Sequence, residues 1–176
     1  MSLDLTKIKM ELSPHFSQRS GNQKPSYIIV HAAQGTHKGT ISWFKNPVSK
    51  VSAHYCISKK GEVVQFVRLD RAAWHVVNFN SPSIGIELED LDLKTRKGCL
   101  TDPNWLTDIQ LDRLAELTAL LMRKYLIPIS NVWGHDCQEL RKLGNTHKDP
   151  GPYFPWDKFK ELVKKHLEPN KNEQTK

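Results

Sequence analysis

One stretch of this sequence decides the fold: Tyr27-Ile28-Ile29-Val30-His31. It is rich in β-branched residues and apolar on both faces, which is typical of a strand buried in the middle of a sheet. The residues before it are polar and weakly periodic, and two prolines interrupt them. We therefore expect an N-terminal extension over 1–26 that is not part of the core, a single domain over 27–167, and a polar, basic tail over 168–176.

The segments that follow this strand carry further strand signals. After a short helical stretch over 41–45, the turn residues Lys59-Lys60-Gly61 separate two strand-like segments and predict a hairpin. The stretch Ile84-Gly85-Ile86-Glu87-Leu88 then alternates with period two. This alternation predicts that Glu87 faces away from the apolar layer.

The second half of the domain carries the main helix signals. Thr107 and Gln110 form a capping box, and apolar residues then recur at helical spacing up to Pro128. Residues 131–134 indicate a short strand that leads into His135, and residues 155–167 indicate a closing helix. The order of elements predicts an α/β fold in which helices flank a mixed central β-sheet.

Composition narrows the class of protein. A chain of 176 residues with 38% hydrophobic content can build one core without a disulfide scaffold. The net charge of +7 favours an anionic partner, but the basic residues are scattered and no nucleic-acid motif is present, so we expect no nucleic acid. Cys56, Cys99 and Cys137 lie far apart, so neither a disulfide framework nor a zinc ribbon is indicated.

Two of the eight histidines end predicted strands. If the two strands are adjacent, His31 and His135 come close together. Zinc prefers two or three such nitrogens with a carboxylate or thiolate, and Asp149 offers a carboxylate in a rigid Pro-Gly turn. Spacing alone leaves another interpretation open, in which these are hydrogen-bonded histidines without a metal.

Six motifs resemble those of a known family: Val30-His31, Ser52-Ala53-His54-Tyr55, Ala73-Trp74-His75, Ser83 to Leu88, Gly134-His135-Asp136, and Asp149 to Trp156. Together they closely resemble the zinc N-acetylmuramoyl-L-alanine amidases, a family that includes amidase-type phage lysozymes, anhydro-muropeptide amidases and peptidoglycan recognition proteins. The resemblance spans Tyr27 to Leu167. It implies a mixed sheet flanked by helices and one zinc ion. It also implies hydrolysis of the amide bond between the lactyl group of N-acetylmuramic acid and L-alanine.

The resemblance also assigns catalytic roles. His31, His135 and Asp149 match the zinc ligands, and Glu87 matches the carboxylate that takes a proton during attack. His147 stands where the family usually carries a lysine that stabilises the oxyanion, and an imidazole can also donate there. Because the gap from His135 to Asp149 is longer than in most relatives, Cys137 and His147 are rivals of Asp149 as the third ligand.

The same resemblance suggests substrate contacts. Trp74, His75 and Asn78 match a segment that lines the substrate groove, and His54 matches a position beside the zinc site. Core packing is an equal alternative for Trp74, and His54 could be a packed strand histidine. Three histidines lie outside every matched motif and are expected to face solvent: His15, His37 and His166.

The sequence favours an active zinc amidase acting on peptidoglycan or muropeptides. The alternative is a non-catalytic recognition module of the same superfamily, but here all three ligands and Glu87 are present. A purely structural zinc site usually has four protein ligands. We expect a monomer without a membrane span, and residues 1–21 lack the pattern of a signal peptide. Localisation stays open between the cytoplasm and a cell wall reached by a separate route.

Overall fold

The computed structural model describes residues 2–168, and a six-stranded sheet forms its centre. Apart from Glu168, the predicted tail lies outside the described residues. The strands are Lys9–Met10 (β1), Phe16–Gln18 (β2), Tyr27–Ala32 (β3), Tyr55–Ile57 (β4), Val63–Gln65 (β5), Arg71–Ala73 (β6), Ser83–Leu88 (β7) and Val132–Gly134 (β8). The central sheet has the order β1-β5-β4-β7-β3-β8, and β2 and β6 form a separate pair.

The central sheet is mixed. Strands β4, β7, β3 and β8 run parallel to one another, whereas β5 pairs antiparallel with β4 as the predicted hairpin. The helices are His37–Lys45 (α1), Asp108–Tyr125 (α2), Gln138–Arg141 (α3) and Trp156–Leu167 (α4). The predicted fold class, a mixed sheet flanked by helices, is confirmed. Within residues 2–168, no helix combines the length and the apolar character needed to cross a membrane.

The two faces of the sheet have different partners. On β7, Ile84, Ile86 and Leu88 are fully buried in the main core, which also contains the apolar residues of α2 and α4. Gly85 and Glu87 alternate with them and face the opposite side, where the cleft described below lies. The period-two prediction for this strand is therefore correct, and it places Glu87 outside the apolar core.

Helix α2 begins with only half of the predicted capping box. The Thr107 hydroxyl accepts a hydrogen bond from the Gln110 backbone N–H at 3.1 Å. The Gln110 side chain does not return the bond, because its amide donates to the carbonyls of Ile57 at 2.9 Å and Glu89 at 3.0 Å. Gln110 thereby fixes the start of α2 to the ends of β4 and β7.

The N-terminal segment is not the peripheral lead-in that the sequence predicted. Strand β1 pairs with β5, β2 pairs with β6, and Ile8 belongs to the main core. His15 is also buried, with Nε2 2.8 Å from the Asn46 carbonyl, so the prediction that it faces solvent is wrong. Strands of two and three residues are too short to show periodicity, and here pairing with distant strands forms them.

Candidate functional site

Three neighbouring parallel strands end at the same edge of the sheet and carry candidate residues there. In the β3–β7 register, His31 pairs with Glu87. In the β3–β8 register, Val30 pairs with Gly134, so His135 follows directly at the same edge. The carboxyl ends of parallel strands are the usual place for a site in such sheets. The sheet topology therefore brings together side chains that are more than 100 residues apart in sequence.

His31, His135 and Asp149 form a buried cluster at this edge. His31 Nδ1 lies 3.3 Å from Asp149 Oδ2, and His135 Nδ1 lies 3.5 Å from Asp149 Oδ1. One candidate ligand atom from each residue lies within 4.8 Å of the others. Two of these atoms, His135 Nδ1 and Asp149 Oδ1, have no hydrogen-bond partner among the described residues.

This donor set fits a zinc ion. Buried polar atoms are normally hydrogen-bonded, and two buried atoms without a partner that face one another need an explanation. Two imidazole nitrogens and one carboxylate are also the ligand types that zinc takes at catalytic sites. Cys137 is not part of this cluster and packs instead beside Ile29 and Val76.

Asp149 is held in place through both its backbone and its side chain. Its carbonyl accepts a hydrogen bond from the Asp136 N–H at 2.8 Å, and its Oδ2 accepts one from the Ala32 N–H at 3.3 Å. Burial raises the pKa of the Asp149 carboxyl, but interactions with His135 and His31 outweigh burial, and the pKa lies well below its usual range. The carboxylate is therefore ionised, as a metal ligand must be.

His147 lies at the open side of the cluster. Its ring stacks on His135 with the centroids 4.1 Å apart, and its Nδ1 lies 3.5 Å from Asp149 Oδ1. In contrast to the three buried residues, its side chain is 56% exposed. This position gives His147 access both to the cluster and to a molecule in the cleft.

Glu87 lines the same cleft but is not part of the ligand cluster. Its Oε2 is buried and has no hydrogen-bond partner among the described residues. Burial raises the pKa of Glu87 well above its usual value, and the carboxylates of Asp149 and Asp90 add to this effect. A carboxylate in such surroundings has a high affinity for a proton, which is what a general base requires.

The cleft around these residues has a volume of about 740 Å³. The cleft is lined by Trp74, His75, Asn80 and Asn145. Helix α1 and the segment after it contribute further lining residues, among them Trp43, Lys50 and Val51. Trp43 is 51% exposed and presents an apolar surface there. Such a cleft can hold a ligand with both polar and apolar parts.

The residues predicted to contact substrate are not all in this cleft. Trp74 and His75 line it. Asn78 does not: its backbone has a φ of 60°, and its side-chain amide donates to the Leu143 carbonyl at 3.3 Å on an exposed loop. Asn145 is a lining residue that the sequence did not reveal. A single asparagine in a long irregular loop has no recognisable pattern.

Asn145 ties this loop to one of the candidate ligands. Its side chain accepts from the Val77 N–H at 3.0 Å and donates to the carbonyls of Val77 and Leu140 at 3.0 and 3.1 Å. Its Oδ1 also lies 3.4 Å from His135 Nε2. Asn145 therefore contacts the His135 ring at Nε2, whereas Asp149 lies near Nδ1.

His54 does not line the cleft. It is fully buried, and its Nδ1 accepts from the Gly85 N–H at 3.0 Å. The proton of the neutral ring is then on Nε2, which lies 3.0 Å from the Arg71 carbonyl. Burial, reinforced by the charge of Arg19, lowers the pKa of His54 to about 3.

We expect His54 to make the protein sensitive to acid. Between its ordinary pKa of 6.5 and its folded value of about 3, the unfolded chain binds a proton at His54 that the folded chain does not. The free energy of unfolding therefore falls as the pH is lowered through this window, by roughly 1.4 kcal/mol per pH unit. Urea unfolding at several pH values in this window should show that the free energy of unfolding changes less with pH in His54→Gln than in wild type.

The control is His166→Gln, because His166 lies at the surface and pairs with Asp112. An equal pH dependence in His54→Gln and wild type would show that His54 is not the source of the acid sensitivity.

Comparison with known proteins places the chain in a family. The family described as N-acetylmuramoyl-L-alanine amidase matches residues 21–152. N-acetylmuramoyl-L-alanine amidase A from Achromobacter lyticus is 32% identical over 161 residues, which cover 82% of this chain and 86% of that protein. The 1,6-anhydro-N-acetylmuramyl-L-alanine amidase AmpD of Escherichia coli strain K12 is 33% identical, with 87% and 90% covered.

Solved structures show the same fold. A crystal structure of a selenomethionine derivative of AmpD superposes with a TM-score of 0.72 at 30% identity, covering 93% of this chain and 99% of the other. The E. coli amidase AmiD, solved in complex with anhydro-N-acetylmuramic acid-L-Ala-D-γ-Glu-L-Lys, has a TM-score of 0.65 at 20% identity, covering 84% of this chain and 65% of AmiD. The extent of these matches shows that the chain belongs to the N-acetylmuramoyl-L-alanine amidase family.

Proposed function

We propose that this protein is a zinc-dependent N-acetylmuramoyl-L-alanine amidase. It hydrolyses the amide bond between the lactyl group of N-acetylmuramic acid and L-alanine in peptidoglycan or muropeptides. The observation that carries the proposal is the convergence of His31, His135 and Asp149 with Glu87 at one edge of the sheet, inside one cleft. A recognition module that only binds this substrate needs no such combination of a ligand set and a buried carboxylate.

His31, His135 and Asp149 would hold the zinc ion. When bound, zinc supplies Lewis-acid chemistry, because it polarises a carbonyl and makes water acidic enough to ionise near neutral pH. These three ligands would leave one coordination position for water or substrate, as in catalytic sites, whereas structural sites are usually closed by a fourth protein ligand. The donor set therefore supports a catalytic role for the metal.

Glu87 and His147 supply the proton transfer and the charge stabilisation. Water adds to the carbonyl carbon of the lactyl group, and Glu87 takes the proton that the water loses. When the carbon–nitrogen bond breaks, Glu87 returns this proton to the departing amino group of L-alanine. His147, stacked on His135 at the open side of the cluster, donates a hydrogen bond to the oxyanion that forms between these two steps.

The cleft and the charge of the protein suit this substrate class. The exposed apolar surface of Trp43 suits a sugar ring or an alkyl group, and the polar residues Asn80 and Asn145 line the same cleft. The net charge of +7 favours the approach of anionic muropeptides or wall polymers.

Metal removal tests the proposal directly. Purified protein is incubated with a muramoyl-peptide, with and without a chelator, and the products are identified by mass. We expect release of a peptide with a free L-alanine amino terminus, its loss with the chelator and its return when zinc is added. If the zinc-loaded protein binds the muramoyl-peptide without cleaving it, the proposal is overturned in favour of a recognition module.

A further inference from the structure

A chain of hydrogen bonds leads from His31 into the protein, away from the cluster. His31 Nε2 lies 3.0 Å from His75 Nδ1, and His75 Nε2 lies 3.2 Å from the Ser83 hydroxyl. The Ser83 hydroxyl donates to the Phe79 carbonyl at 2.5 Å. The chain therefore runs from His31 through His75 and Ser83 and ends at the backbone carbonyl of Phe79.

The last member of the chain fixes the direction of every bond in it. The Phe79 carbonyl can only accept, so the Ser83 hydroxyl must donate its hydrogen to that carbonyl. The Ser83 oxygen can then only accept from His75, and His75 must carry its proton on Nε2. A neutral His75 with its proton on Nε2 has an acceptor at Nδ1. His31 must then carry its proton on Nε2 to donate to that acceptor, which leaves the lone pair of His31 on Nδ1.

This tautomer has a consequence at the cluster. The Nδ1 lone pair of His31 faces Asp149 Oδ2 at 3.3 Å, so that two acceptors point at each other. A cation between them can be bound by the nitrogen and the carboxylate oxygen together. The proton arrangement set by Phe79 is therefore the one in which His31 can act as a metal ligand through Nδ1.

The position of His75 is itself enforced by its surroundings. A Cβ atom at Gly85 would lie only 2.6 Å from His75 Nδ1 and 2.7 Å from its Cγ, so the ring can lie against β7 only because position 85 is glycine. The Asn80 side chain accepts hydrogen bonds from the backbone N–H groups of His75 at 2.9 Å and Val76 at 2.7 Å. Gly85 thus leaves room for the ring, and Asn80 holds the backbone that carries it.

We propose that His75 is a positioning residue that acts through His31. By accepting a proton from His31 Nε2 and donating to Ser83, it fixes the tautomer in which His31 presents Nδ1 to the metal. This role differs from the substrate contact that the sequence suggested for His75. It rests on the proposed zinc site.

Two substitutions of His75 distinguish a role in positioning His31 from a role in packing alone. His75→Phe keeps a ring of similar size but has no acceptor, whereas His75→Asn loses the ring but can place its Oδ1 near the position of Nδ1. Zinc affinity is measured by competition with a chromophoric chelator, and thermal unfolding checks that each variant is folded. We expect His75→Phe to weaken zinc binding on the order of 10- to 100-fold and His75→Asn to retain most of the wild-type affinity. His166→Phe is the control, because His166 lies on α4 and pairs with Asp112.

A second readout uses the protein without metal. The ¹⁵N chemical shifts of the His31 ring report which nitrogen carries the proton, and we expect the Nε2–H tautomer in wild type and a mixture in His75→Phe. Wild-type zinc affinity and tautomer in His75→Phe, with only KM raised, would make His75 a substrate contact and overturn the proposal. Stronger loss in His75→Asn than in His75→Phe would make it a packing residue. If wild type bound no zinc, the proposed function would fail, but the tautomer would still decide the role of His75.

Discussion

Glu87→Gln is expected to bind zinc with wild-type affinity and to lose about 10²- to 10⁴-fold in turnover. The substitution keeps the size of the side chain and removes its ability to take a proton. Because Glu87 lies outside the ligand cluster, the donor set for zinc is unchanged. Zinc content by elemental analysis and kcat on a muramoyl-peptide are the two measurements.

A matched control for Glu87 lies two residues further along the chain. Glu89 is also a partly buried glutamate, but its carboxylate accepts from the Lys59 N–H at 2.9 Å and does not line the cleft. Glu89→Gln should keep nearly full turnover. Zinc loss from Glu87→Gln, or full turnover in it, would show that Glu87 is not the base.

Asp149→Asn is expected to lose zinc affinity by more than about 100-fold and to lose turnover with it. Removing a residue that only orients a ligand costs 10- to 100-fold, so replacing a charged ligand by an amide should cost more. The measurement is again competition with a chelator. It tests Asp149 as the third ligand, which the sequence left contested.

The two rivals of Asp149 provide the comparison. Cys137→Ala and His147→Ala should both retain zinc, because Cys137 is outside the cluster and His147 lies on its exposed side. His147→Ala should nevertheless lose turnover. Zinc loss from either variant, together with zinc retention by Asp149→Asn, would identify a different third ligand.

The longer elements were predictable from sequence because the apolar side chains that form their pattern are also the ones that the core buries. Strand β3 is apolar on both faces and buried on both, and β7, α2 and α4 each bury a face that their apolar residues reveal. The placement of His31 follows from β3, and that of His135 from the short strand β8 that the sequence also indicated. Asp149 could not be derived in this way, since the irregular loop before it sets its position.

The contacts that tertiary structure creates could not be predicted. Asp90 is buried and accepts from the Gly35 N–H at 3.0 Å and the Cys99 N–H at 3.1 Å. The local sequence around Asp90 does not reveal these two donors. The role of His75 was hidden for the same reason, because Ser83 and Phe79 become its partners only in the folded chain.

The missing side chain at Gly85 also limits how this enzyme can be engineered. Replacing strand glycines by residues with a side chain is a common way to make a protein more heat-resistant, because it reduces the freedom of the unfolded chain. At position 85 the added carbon would collide with the His75 ring. The substitution would then displace the ring that positions His31, so a stabilisation programme should leave position 85 unchanged.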